Sequence, residues 1–200
     1  METNKDFWKQ MNAALDNLPA DRELRFTESY PFTYTMVCPL SKNNDMMEKR
    51  AAVIRELITP EPQSIIEFGG AYGNLGVVYK KDNPNSTYTL VDTKSMLRFA
   101  KVFADVMKTE TVLCEPSKIE TVLTEYDLFC TYCAISETPP SYREKVFDLF
   151  LPKCKSAMII ETPENMSEYV QVLEKYFGHC NTFTPPDGHS DKHVVLYASR

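Results

Sequence analysis

The sequence is poor in glycine, tryptophan and long apolar runs. It holds six glycines, one tryptophan and 13 prolines in 200 residues, far from collagen-like or low-complexity composition. No apolar run approaches the roughly 18–20 residues that cross a bilayer. The N-terminal Met1-Glu2-Thr3-Asn4-Lys5-Asp6 lacks the basic, apolar and small-residue zones of a secretion signal. A basic surplus is missing too. The net charge is -6, which disfavours a nucleic-acid partner, since phosphate backbones attract Lys/Arg-rich faces. These absences point to a cytoplasmic protein with no membrane span.

What is present is enough for one core. A hydrophobic share of 43% and an aromatic share of 12% argue against disorder. A single domain takes about 100–200 residues, and a chain of this size buries roughly 70% of its unfolded surface without a disulfide or metal staple. A separate substrate domain does not fit. The six cysteines, at 38, 114, 130, 133, 154 and 180, read as reduced thiols in that setting. Cys130 and Cys133 have C-x-x-C spacing but no second ligand pair, so both are expected to pack in the core.

Apolar periodicity organises the chain. Phe7, Trp8, Met11, Ala14, Leu15 and Leu18 predict an amphipathic helix over 4–18, ended by Pro19. Ser41 can cap a helix running to about Ile58, with Met46, Met47, Ala51, Ile54 and Leu57 on one face. Residues 1–62 are therefore expected to form a helical cap and substrate lid, and 63–200 the catalytic core. From residue 63 the pattern alternates: strands near 64–68, 88–91, 111–114, 127–132 and 157–160, with helices following 74, 95, 141 and 165. Two more strands are expected near 179–184 and 193–198. Such alternation implies an α/β fold with a largely parallel sheet and helices on both faces. The loop between the last two strands is too short for a helical crossover, so they should be antiparallel.

The chemistry concentrates in Glu67-Phe68-Gly69-Gly70-Ala71-Tyr72-Gly73-Asn74, between the first strand and its helix. Glycines there permit positive φ and close approach of a ligand, at the strand end where open α/β sheets bind ligands. Asp92 ends the next strand, where an acid can accept from ribose hydroxyls. A dinucleotide site wants G-x-G-x-x-G, and two of its three glycines are missing here. An acid before the glycines would also repel a pyrophosphate.

The spacing E-x-G-x-A-x-G, through Glu67, Gly69, Ala71 and Gly73, resembles motif I of the class I S-adenosylmethionine-dependent methyltransferases. Ala71 replaces the middle glycine of that motif. The longer run Glu67 to Leu75, Lys80-Lys81 and Ile135-Ser136-Glu137 are similar to segments of the sugar O-methyltransferase family. The resemblance implies a Rossmann-like, seven-stranded, mostly parallel sheet with an antiparallel last strand, and S-adenosyl-L-methionine as cofactor. It implies that Glu67 meets the methionine end, that Gly69, Gly70, Gly73 and Asn74 form its turn, and that Asp92 holds the ribose. Thr93 and Glu115 would flank the adenine, and Thr131 would lie beside the donor methyl.

A hydroxyl is a poor nucleophile, so methyl transfer to one calls for a general base within hydrogen-bond reach. Glu137 is a candidate if a closed pocket surrounds it, and His189 and His193 titrate in the useful range. His189, Asp191 and His193 also have a spacing that could ligate a divalent ion, a transition metal better than Mg²⁺. Tyr30, Phe32, Tyr34 and Tyr132 are candidate substrate contacts, with Arg22 and Arg25 near the first three. The expected activity is methyl transfer to a hydroxyl of a sugar or glycan precursor, with a sugar or sugar nucleotide as partner. The alternatives are a methyltransferase for another small molecule or a peptide, on O or N, and a catalytically inactive Rossmann-like binding protein.

Overall fold

Parallel strands cannot be joined by tight hairpins, so each step between consecutive parallel strands here carries a crossover. The computed structural model describes residues 42–184 and 193–200. The expected helix over 4–18, the aromatics Tyr30, Phe32 and Tyr34, Arg22 and Arg25, and His189 and Asp191 lie outside the described residues.

The first described helix is α1 (Lys42–Leu57). The sheet then begins with β1 (Ser64–Phe68), α2 (Asn74–Asp82), β2 (Thr87–Val91), α3 (Lys94–Val106) and β3 (Val112–Cys114). It continues with β4 (Tyr126–Tyr132), α4 (Pro140–Phe150), β5 (Cys154–Glu161) and α5 (Met166–Phe177), and closes with β6 (Asn181–Phe183) and β7 (Val194–Ser199). A short 3₁₀ segment over Pro116–Val122 stands in the crossover from β3 to β4 in place of a longer helix.

The sheet has seven strands in the order β3-β2-β1-β4-β5-β7-β6. β7 runs antiparallel to both β5 and β6, and the other neighbouring pairs are parallel. The strand order reverses between β1 and β4, which puts the ligand-binding crevice of an open sheet beyond their C-terminal ends. Register sets that edge. Phe68 is level with Val91 on one side and with Thr131 on the other.

Alternation along the strands builds two cores. Ile66, Phe68, Phe129 and Ile159 face α4 and α5, meeting Phe147, Phe150, Tyr169 and Leu173. Ile65, Leu128, Cys130 and Met158 face the other way, meeting Tyr79 of α2 and Met47, Ala51 and Ile54 of α1. Residues 42–57 were expected to belong to a cap. The apolar face of their helix, α1, is buried in the same cluster as β1 and β4.

One close contact fixes α2 on the sheet. A Cβ at Gly76 would stand 2.6 Å from Cδ1 of Tyr88, a fully buried ring on β2. Alanine gains about 1 kcal/mol of helix propensity over glycine, but overpacking a core costs about 1–3 kcal/mol. The packing cost should prevail. Gly76→Ala is expected to lower the urea midpoint of unfolding, and a raised midpoint would contradict this packing.

Candidate functional site

The turn after β1 is held from both sides. The Gly69 N–H donates to the Val91 carbonyl at 2.8 Å, and the Ala71 N–H donates to Oδ2 of Asp92 at 2.8 Å. The other oxygen of Asp92 accepts from the Thr93 N–H at 2.6 Å. Burial raises the Asp92 pKa, partly offset by the hydrogen bonds from Thr93 and Ala71.

Each glycine of the turn has its own reason. Gly69 has φ 72°, and a Cβ on it would lie 2.0 Å from the Cβ of Ala134, in the loop after β4. Gly73 has φ 70° and caps α2 in the left-handed region. At Gly70 a Cβ would fall 1.9 Å from Oε2 of Glu67. Ala71 adopts φ 52°, so the position where the motif has glycine keeps the glycine-like conformation despite its methyl group.

Glu67 is buried behind this turn and accepts a hydrogen bond from the Tyr88 hydroxyl at 2.8 Å. Burial is the main cause that pushes its pKa up to about 7, against the Tyr88 hydrogen bond and the positive charge of Arg50. Burial, with Glu67 and Cys130 nearby, raises the Tyr88 phenol well above its ordinary value, so it stays a donor.

Beyond the turn lies a cavity of about 620 Å³, at the C-terminal ends of β1, β2 and β4. Phe68, Gly69, Ala71, Tyr72, Val91, Asp92, Thr93, Met96 and Pro116 line one part. Tyr132, Cys133, Ala134, Glu137, Thr138 and His193 line the other. Among these described lining residues the charged side chains are Asp92 and Glu137, with no Lys or Arg. The loop carrying Ala134 and Glu137 is braced by Arg143 of α4, which donates to the carbonyls of Ser136 and Thr138 and pairs with Glu168.

The fold thus brings together Gly69, Asp92, Thr93, Tyr132, Glu137 and His193 of the residues selected from sequence. Others do not border the cavity. Glu67 and Gly70 stand behind the turn, and Gly73 is at the start of α2. Asn74 is buried and borders a second cavity of about 610 Å³ along α2, with Glu48, Lys80 and Lys81. Glu115 borders a third, of about 300 Å³, with Lys94, Arg98 and Lys118; Pro116, next in the chain, is the one that reaches the main cavity. Thr131 is buried within the sheet, and Tyr132, one residue on, is the side chain of β4 that borders the cavity. Glu137 is exposed at the rim of the cavity among the described residues. Cys130 is buried as expected, but Cys133 is half-buried on the cavity wall. β4 has ended there, and Cys133 takes φ 52°, so strand alternation no longer aims it. Burial pushes its thiol up to about 12.

Sequence reasoning missed Met96, Pro116 and Ala134 on the cavity wall, and Arg50 behind it. The Arg50 guanidinium lies 3.4 Å over the Tyr132 ring. Nothing local to helix α1 singles out that arginine. Among the described residues no group of three or more His, Cys, Asp and Glu could hold a metal ion, and no helix is long and apolar enough to cross a membrane.

This strand order, with its antiparallel β7 and a cavity at the β1/β4 switch point, is the Rossmann-like fold of the class I methyltransferases. A protein of Nostoc punctiforme PCC 73102 described as a putative O-methyltransferase superposes with a TM-score of 0.66 at 14% identity, over 96% of this chain and 68% of that one. The plantazolicin methyltransferase BpumL, in complex with SAH, gives 0.62 at 12% identity over 98% of both chains. The mitomycin 7-O-methyltransferase MmcR gives 0.59 at 11%, over 96% of this chain and 67% of its own. At such identities the likeness is one of fold. No protein-family model matches the sequence, and no curated protein matches it.

Glu67 makes stability depend on pH. Its folded pKa of about 7 stands above the ordinary value of 4.5, so folding favours the protonated carboxyl. That stabilisation is complete below about pH 4.5, falls as pH rises through 7, and is flat above. Between about pH 5 and about pH 7.5 the parent chain should lose about 2 kcal/mol more than Glu67→Gln. Urea unfolding at the two pH values checks this; equal losses would show that Glu67 titrates normally.

Proposed function

We propose that the chain is an S-adenosyl-L-methionine-dependent O-methyltransferase. The observation that carries the reading is the sign of the cavity: two carboxylates and no described Lys or Arg, at the switch point of a methyltransferase fold. A cationic donor suits such a lining, whereas a pyrophosphate would be repelled. The volume also falls within the roughly 300–1,000 Å³ of small-molecule sites.

Gly69, Asp92, Thr93, Met96 and Pro116 would hold the cofactor. When bound it supplies an electrophilic methyl group on a sulfonium. Asp92 is preset for ribose hydroxyls: the N–H groups of Ala71 and Thr93 fix its carboxylate, and a carboxylate has about four acceptor sites, so capacity is left over. Met96 and Pro116 offer an apolar wall for a flat ring. Glu67, behind the turn, supports Gly70 and its neighbours without bordering the cavity.

On the opposite side, His193 is the best-placed base. It is half-buried, borders the cavity and lies 5.4 Å from the Tyr132 ring, centroid to centroid. A neutral imidazole has a ring nitrogen that can accept a hydroxyl proton there. Glu137 is the second candidate, at the exposed rim. A neutral sugar hydroxyl is the acceptor we favour, because the described lining offers no cation for a phosphate. The comparison proteins whose names specify a substrate act on other molecules, mitomycin and plantazolicin.

Calorimetry should show SAH or S-adenosylmethionine binding to the full chain. Asp92→Ala should weaken that binding by about tenfold to a hundredfold, as expected for hydrogen bonds to a charged group. No binding of either compound at about 1 mM would remove the proposal. Methyl transfer to a panel of neutral sugars tests the acceptor, and His193→Asn should depress turnover more than cofactor affinity. Cofactor binding with no methylation on any panel would favour a binding protein.

A further inference from the structure

Arg50 is a buried cation on a helix with no residue in the cavity lining. It is 5% exposed, on α1, and its guanidinium carbon stands 3.4 Å from the centroid of the Tyr132 ring. That is a stacking distance, and a planar guanidinium is suited to it where an ammonium is not. Tyr132 in turn packs against His193, with a ring separation of 5.4 Å and a tilt of 36°. Tyr132 and His193 both border the cavity, and Arg50 is not among its described lining residues. Its charge also reaches two other groups. It opposes the burial that raises Glu67 behind the glycine turn and the burial that raises Cys133 on the cavity wall.

We propose that Arg50 is a positioning residue, which by stacking on Tyr132 sets the orientation of the Tyr132–His193 wall. The order of parts is Arg50, Tyr132, His193, from core to cavity. The first part comes from α1, the second from the end of β4, and the third from the start of β7. Three elements distant in sequence therefore meet on one aromatic ring. Calling that wall the acceptor side rests on the methyltransferase reading; the stack itself does not. The inference also assigns α1 a role in the site, since any shift of this helix on the sheet moves the guanidinium that supports Tyr132.

The test uses NMR of the His193 ring in the ligand-free full chain, with His193→Gln to identify its signals among the three histidines. Arg50→Met should shift the His193 ring resonances, because Tyr132 loses the plane beneath it. Arg50→Lys should shift them too, since it keeps the charge and loses the stack. Tyr132→Leu should shift them, and Tyr132→Phe, which retains the ring, should leave them near the parent positions. Unmoved signals in both Arg50 variants, with Tyr132→Leu moving them, would overturn the proposal. So would unmoved signals in Tyr132→Leu. If Arg50→Met does not fold, Arg50→Lys decides alone. SAH calorimetry on the parent chain tests the methyltransferase reading separately: shifted His193 signals without SAH binding keep Arg50 in place and discard that reading.

Discussion

A buried carboxyl shapes the site. Glu67 sits where a side chain at position 70 would have to go, and the Tyr88 hydroxyl and the nearby Arg50 charge offset part of the cost of burying it. The dependencies run outward from there. Tyr88 can reach Glu67 only because Gly76 leaves room for its ring. The turn can cross above Glu67 only because residue 70 is glycine. Gly69 and Ala71 then stand at the cavity edge, within reach of Val91 and Asp92. A substitution at Gly76 is thus linked to the turn through Tyr88 and Glu67.

The same carboxyl connects the two sides of the cavity through Arg50. One guanidinium lies under Tyr132 and exerts its field on Glu67 and Cys133. Buried cations are costly unless matched, and this one is surrounded by an aromatic face and acidic or polarisable groups. Helix α1 therefore reaches the residues behind the cavity by packing on the sheet. The loop after β4 is fixed by independent means: Arg143 ties it to α4 and α5, and Ala134 fills the space that Gly69 leaves.

Much of the architecture was legible from periodicity alone. β1 was expected over 64–68 and is found there; the other strands and helices expected within the described residues match within a few residues. The reason is physical: strands buried on both faces are near-continuous apolar runs, and helices between them carry a single apolar stripe. The site was legible where it is contiguous, in the turn after β1 and at Asp92. It was not legible where side-chain direction decides. Thr131 and Tyr132 are neighbours in sequence, but only Tyr132 borders the cavity. Glu115 and Pro116 differ in the same way.

The sequence by itself determined the α/β class, the strand boundaries, the glycine turn and the paired acid at Asp92, because each depends on local conformational preference or on spacing within one crossover. Only the tertiary structure decided which of those residues face a common space. It placed Glu67 behind the turn, brought His193 to Tyr132 across the end of the sheet, and selected Arg50 from an otherwise ordinary helix. Those outcomes depend on register between strands and on the seating of α1. Neither is encoded in any short stretch of chain, since each is fixed by contacts between residues far apart in sequence.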